Sequence, residues 1–455
     1  MSIATEITAL DTNLTAAKNA VTAKGGTVGD TGLAGLASEI ADIPSGGSAD
    51  WGTITFLDSN NDEQEATIQS MAQVFLLSDG NNTAQTEVSI DGKTFTIGSI
   101  THFSAGTTLT YIPQYFLRNA TSLSSIELDD NTTVISSYFC YGCTSLNCPL
   151  TLPSALTSIG DAFLRECSSF NGSITIPSGV TKIGNYFMWK CNSFNNPISL
   201  PNTITTLGAD FLRECTQFDN TITLPNNLPL IPLHFLYGCS SFNKSLTIPD
   251  SVATLGNSFL GSCSSFNNTL ILPSTITSIG TSFMNDCSSF NQPLTLPAGI
   301  TSIGQNFLVN CSSFNQPLTL PANITSIGQN FLYGCSSFNQ SLTLPADITS
   351  IGSYFMYGCS SFNQNIALPQ SSGMSISIAY FMYNCKSMVS TVNVGSLTSG
   401  NLSPYIGNIY AFSTDDSTAA MYTTGITLVG SGVSSWMAVL PNNNSTPFRK
   451  LVNGN

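Results

Sequence analysis

Ten cysteines recur 24 residues apart without a slip, from Cys143 through Cys167, Cys191, Cys215, Cys239, Cys263, Cys287, Cys311 and Cys335 to Cys359. Phenylalanine keeps the same step four residues earlier, from Phe139 to Phe355, and proline keeps it from Pro153 to Pro369. A fixed period of this length means stacked supersecondary units, because one such unit cannot bury its own apolar face and its neighbours can. Irregular units at Phe116 and at Phe381 with Cys385 extend the array, giving twelve.

One unit reads PLTLPAGITSIGQNFLVNCSSFNQ, residues 293–316. Leu294 and Leu296 flank Thr295, the alternation of a short half-buried strand. Pro297 ends it, having no N–H to give to a ladder. Ile300 and Ile303 return to the core, and Gly304 permits a turn. Phe307, Leu308 and Cys311 have the i, i+1, i+4 spacing of a short helical turn, and Phe314 completes the layer.

Stacking turns each position into a column of like side chains. The Cys column reads as buried thiols. Cys140, Cys143 and Cys148 also form a C-x-x-C-x4-C cluster, without a fourth zinc ligand. Asn147, Asn171, Asn195, Asn243, Asn267, Asn291, Asn315, Asn339 and Asn363, with Asp219 substituting, form an amide ladder that serves backbone groups. Thr151, Thr175, Thr223, Thr247, Thr295, Thr319 and Thr343 form a water-facing strand column, interrupted by Ser199, Ile271 and Ala367.

One column varies, two residues before Cys: Tyr141, Arg165, Trp189, Arg213, Tyr237, Gly261, Asn285, Val309, Tyr333, Tyr357, then Tyr383. Where core columns hardly change, variation marks an exposed position. Arg165, Trp189 and Arg213 should stack by cation–π contact, with Glu166, Lys190 and Glu214 as an alternating charge ladder beside them. Tyr141, Arg165, Trp189, Arg213, Tyr237, Tyr333, Tyr357 and Tyr383 are the candidate ligand strip for a glycan or protein. Simple inter-coil stabilisation is the competing reading.

No catalytic constellation emerges. The two histidines, His102 and His234, stand apart, and no nucleophile elbow, phosphate loop or HExxH motif is present. The chain therefore reads as a non-enzyme with no catalytic residue, no cofactor and no metal. Only 8% of residues are charged, against roughly 25% in a typical soluble protein. The net charge of −14 argues against a nucleic-acid partner. No run long and apolar enough to span a bilayer is seen, and the first residues lack a signal-peptide pattern, so no membrane insertion is expected.

Five segments follow: 1–43 helical anchor, 44–50 linker, 51–104 small β-rich module, 105–390 solenoid and 391–455 C-terminal cap, with Trp436 and Phe448 as candidate plugs. In the anchor Ile3, Ile7, Leu10, Leu14, Ala17 and Val21 make a heptad seam suited to a homo-oligomer, a trimer among the permitted states.

The words LTLP, ITSIG and FLYGCSSF resemble the BspA-like leucine-rich repeats, and the FNQ ending is similar to a repeat of mycoplasma surface proteins. This resemblance implies an α+β repeat solenoid, with strands on one face and short helical turns on the other. The segment AKGGTVGDTGLAGLASEIADI resembles N-terminal modules of tailed-phage virion proteins, which implies docking to other virion proteins through 1–43. Together the resemblances imply a phage virion structural protein, fibre-like or receptor-binding, that meets a host surface glycan or protein. The alternative they leave is a bacterial cell-surface adhesin, with a glycan depolymerase behind it.

Overall fold

The computed structural model describes residues 49–377, 379–401, 412–440 and 450–454. The heptad seam from Ile3 to Val21, the linker to residue 48 and Phe448 lie outside the described residues. The chain divides into two compact units, 1–218 and 219–455.

The first unit opens with five strands: β1 (Gly52–Leu57), β2 (Glu63–Thr67), β3 (Glu87–Ile90), β4 (Lys93–Thr96) and β5 (Ile100–Ala105). β3 and β4 form a hairpin across Asp91 and Gly92, whose φ values of 55° and 69° are those the two-residue turn requires. β1 pairs antiparallel with both β2 and β5. β5 pairs on its other edge, in parallel, with the strand Ser125–Glu127. The antiparallel β1 therefore occupies the edge that the first coil would otherwise leave open. Ile54 of β1 and its partner Phe103 of β5 are fully buried, and Phe103 meets Phe116 edge-on at 4.9 Å.

From there coils succeed one another with a register of one period. Leu294 and Thr295 pair in parallel with Leu318 and Thr319, and Ser302 and Ile303 with Ser326 and Ile327. In each pair the apolar member is buried, so two short ladders flank one core. Phe307 lies 5.4 Å from Phe283 and 5.7 Å from Phe331, nearly parallel to both. Phe314 repeats this with Phe290 and Phe338 at 5.7 and 5.8 Å.

The third side of the coil corrects the expected helical turn. Asn306 and Asn310 take left-handed φ values of 59° and 57°, which no α-helix accommodates. The N–H groups of Asn306, Leu308 and Asn310 donate instead to the carbonyls of Gln329, Phe331 and Tyr333 in the next coil. Hydrogen bonds that a helix would close within itself are spent between coils, and the solenoid is a β-solenoid. The glycine column has a cause other than the expected turn. A Cβ on Gly352 would lie 2.6 Å from the backbone nitrogen of Gln329, so the column permits close approach of successive coils.

In the second unit the coiling runs on past Phe381. Strands Thr391–Asn393, Ile426–Val429 and Leu451–Asn453 follow Ile366–Ala367 in one parallel sheet. Among the described residues the turns number about 14, not twelve. The segment after residue 390 hides its coils because its insertions break the 24-residue count. Trp436 is fully buried there, and its indole N–H donates to the Leu397 carbonyl at 3.1 Å.

Candidate functional site

All thirteen cysteines are free, twelve of them buried and Cys148 half-buried. Within each unit the column's thiols reach back one coil: Cys167 Sγ donates to the Cys140 carbonyl at 3.0 Å, and Cys311 Sγ to the Met284 carbonyl at 3.1 Å. Burial pushes the Cys143, Cys167, Cys191 and Cys311 thiols well above their ordinary range. A buried, protonated thiol is a poor nucleophile and a poor metal ligand, so this column stitches coils together. Among the described residues no group of three or more His, Cys, Asp or Glu side chains is placed to hold a metal ion.

The amide ladder is continuous within each unit. The Asn171 N–H donates to Asn147 Oδ1 at 2.9 Å, and the Asn195 N–H to Asn171 Oδ1 at 2.8 Å. In the second unit the run passes from Asp219 through Asn243 to Asn363. The Thr column is exposed throughout, and Ile271 within it is 68% exposed. His102 binds Ser125 Oγ through Nδ1 at 2.7 Å, and no carboxylate completes that pair among the described residues.

That leaves the variable column. In the first unit it is a cation–aromatic stack. Tyr141 lies between Arg118 and Arg165, whose guanidinium carbons are 5.3 and 5.2 Å from its ring centre. Trp189 lies between Arg165 at 4.1 Å and Arg213 at 4.9 Å. Alternating planes shield one another so closely that Arg165 Nε and Trp189 Nε1 are buried with no hydrogen-bond partner.

The expected charge ladder is rearranged. Glu166 accepts from its neighbour Arg165 at 3.3 Å and from the Tyr141 hydroxyl at 2.9 Å. Arg213 pairs with Asp210 and Glu214, both at 3.0 Å. Lys190 lies over the Trp189 ring at 5.3 Å, and not between the two glutamates. Side chains one residue apart reach each other more readily than those a coil away, so Arg165 and Arg213 are neutralised locally. The stack presents aromatic edges and paired charges, with little net charge.

In the second unit the column is neutral. Tyr237 packs against Gly261, where a Cβ would come within 2.9 Å of its ring. Asn285 and Val309 follow, then Tyr333 stacks on Tyr357 at 4.5 Å and 3°, and Tyr357 on Tyr383 at 5.3 Å. Tyr383 departs from the expected surface strip. It is 5% exposed, and its hydroxyl donates to Asp415. Residues 412–416 cover it, held by bonds from Thr414 Oγ1 and the Asp415 N–H to Asn384 Oδ1 at 2.8 and 3.1 Å. The other strip members are half-buried.

Sequence reading missed the column just before Phe. Tyr115 stacks on Tyr138 at 4.7 Å and Tyr354 on Tyr380 at 4.9 Å, while Arg165 also lies 5.4 Å from Tyr186. All five tyrosines hold left-handed φ values, which turn them toward the variable column. Four of the five share a coil with Tyr141, Trp189, Tyr357 or Tyr383, and that was the available signal.

The family model described as BspA type Leucine rich repeat region, in 6 copies, matches residues 88–218, 148–267, 187–315 and 278–401. No curated protein matches the chain. Among solved structures, a leucine-rich repeat protein from Bacteroides ovatus aligns at 18% identity and TM-score 0.42, covering 75% of this chain and 94% of its own. A leucine rich cell surface protein from Faecalibacterium prausnitzii aligns at 18% and 0.43, covering 89% and 100%. The pneumococcal vaccine antigen PcpA aligns at 14% and 0.40, covering 83% and 91%. Identities this low transfer no role.

Proposed function

Because the chain belongs to the BspA-type leucine-rich repeat family, whose matches run from residue 88 to residue 401, we propose that it is a surface-presented recognition protein, an adhesin of that class, which binds and does not catalyse. The observation that carries this reading is the contrast between columns. Core, thiol and amide columns hardly vary, and the column through Tyr141, Arg165, Trp189 and Arg213 in the first unit, and Tyr237, Tyr333 and Tyr357 in the second, changes from coil to coil. Stacked aromatics and paired arginines are the residue types that anchor interfaces. The low charge of this face suits a glycan or protein partner better than a polyanion.

Residues 1–43 supply a second reading, through their resemblance to virion attachment segments. In that case the segment would dock the chain on a particle, and its seam would make a homo-oligomer. This reading rests on those residues alone.

Immunogold labelling separates the two: label on the envelope of producing cells supports the adhesin, and label on assembled particles supports the virion protein. Binding of the purified full chain to a panel of intact epithelial and bacterial cells tests recognition itself. Trp189→Ala and Tyr237→Ala, assayed separately, should weaken it, and unchanged binding in both would remove the column from consideration.

A further inference from the structure

The stacking of the second unit's column stops at Tyr333. Both rings that meet it, Tyr354 at 6.2 Å and Tyr357 at 4.5 Å, belong to the following coil. On its other side the column continues as Val309, Asn285 and Gly261, none of which carries a ring. A valine ends at its γ carbons, whereas a tyrosine ring extends several ångströms further from the backbone. The outer part of one Tyr333 face therefore stands clear, and among the described residues no ring or guanidinium is stacked on it. Every other ring in this run is covered: Tyr357 has a ring on both faces, and Tyr383 is buried.

A flat group laid on that face would take the place that Tyr357 takes on the opposite one, one coil away, in the layer of Val309. The layer beyond it is polar and already oriented. Asp286 Oδ1 accepts from Asn310 Nδ2 at 2.8 Å, and Asp286 Oδ2 accepts from Asn285 Nδ2 at 2.7 Å. Asn285 Oδ1 turns the other way, into the gap at Gly261, where a Cβ would lie 2.6 Å from it. A carboxylate fixed in place by two amides, with lone pairs to spare, matches a ligand that brings hydroxyl donors.

Charge narrows the class. From Lys244 to Lys386 the intervening sequence contains no Lys, Arg or His. An anionic ligand would find no counter-charge across these coils, and Asp286 would repel it. A pyranose has an apolar C–H face to stack on an aromatic ring and a rim of hydroxyl donors. We propose that Tyr333, Val309, Asn285 and Asp286 form a subsite for one uncharged pyranose unit of a surface glycan. This assignment rests on the recognition reading above and gives it a ligand class.

Filling the subsite from within tests it. Val309→Tyr should continue the stack as Tyr357 does on Tyr333, leaving the fold intact while occupying the open face. Full-length wild type, Val309→Tyr, Tyr333→Ala and the strand-face control Thr295→Ala would be applied to a printed array of neutral, sialylated and sulfated oligosaccharides. Thermal melts would run alongside. The expected result is wild-type binding to neutral oligosaccharides, lost at least tenfold in Val309→Tyr and Tyr333→Ala and kept in Thr295→Ala. Equal binding by wild type and both column variants would overturn the subsite while leaving the recognition reading standing. Binding confined to sialylated or sulfated probes, or to none, would also overturn it; the cell-binding assay then decides the recognition reading separately.

Discussion

The thiol of Cys335 donates to the carbonyl of Leu308, 27 residues earlier, at 3.1 Å, and the same carbonyl accepts the backbone N–H of Cys311 at 3.2 Å. One oxygen thus uses both lone pairs, one within its coil and one toward the next. Cys335→Ala removes the second bond and leaves a small void in a fully buried layer. A loss of about 1–3 kcal/mol is expected, read as a lower midpoint in denaturant with native-like circular dichroism. No change in midpoint would contradict both the bond and the packing contribution.

Thiol reagents should see this arrangement directly. Cys148 is half-buried and the other twelve cysteines are buried. In native buffer an aromatic disulfide reagent is expected to titrate one thiol rapidly, and the rest only on unfolding. Cys148→Ser should abolish the rapid phase. Several fast-reacting thiols would contradict the buried ladder.

Alkaline pH should destabilise the fold. Burial raises the thiol pKa values of Cys143, Cys191 and Cys311 well above the ordinary 9.0. Below that ordinary value both folded and unfolded chains keep these protons, and the stabilisation is complete. As pH rises past it the unfolded chain ionises first and binds fewer protons, so stability falls until the folded values are also passed. Each such thiol adds a slope of about 1.4 kcal/mol per pH unit in that window. Denaturation midpoints measured from pH 7 to 11 should hold steady and then drop, and a chain with three of these positions changed to Ala should drop less steeply.

The amide ladder makes a separate prediction. Asn315 Oδ1 accepts the Asn339 N–H at 2.9 Å and Gln340 Nε2 at 3.1 Å. Asn315→Ala strands a half-buried backbone donor, at a cost of about 1–2 kcal/mol. Thr295→Ala on the exposed strand face should stay within about 0.5 kcal/mol of wild type. Hydrogen exchange at the Asn339 amide is the readout: faster in the first variant and unchanged in the second.

Periodicity carried the fold because each core column repeats one residue type. Phe307, Cys311 and Phe314 are as legible in the sequence as in the structure, and so is the burial that follows from stacking them. Local spacing misled at Phe307, Leu308 and Cys311. A helix and a left-handed turn can both bring those three side chains to one face, and only the destination of the Asn306 and Asn310 N–H groups tells them apart. Tyr383 was misread for a related reason. Its column is half-exposed in ordinary coils, and the segment that buries it comes from 30 residues further on, outside any period. The variable column was found by its variation, but its division into a locally neutralised Arg–Trp stack and a stack with one open Tyr333 face needed coordinates.

Binding of the full chain to intact cells, measured as isotherms for wild type, Trp189→Ala, Tyr333→Ala and Thr295→Ala, tests most directly whether the variable column is the recognition face. The account predicts at least tenfold weaker binding in one or both column variants and no change in Thr295→Ala. Full binding by both column variants, with loss in Thr295→Ala, would contradict it and move recognition to the threonine-bearing strand face.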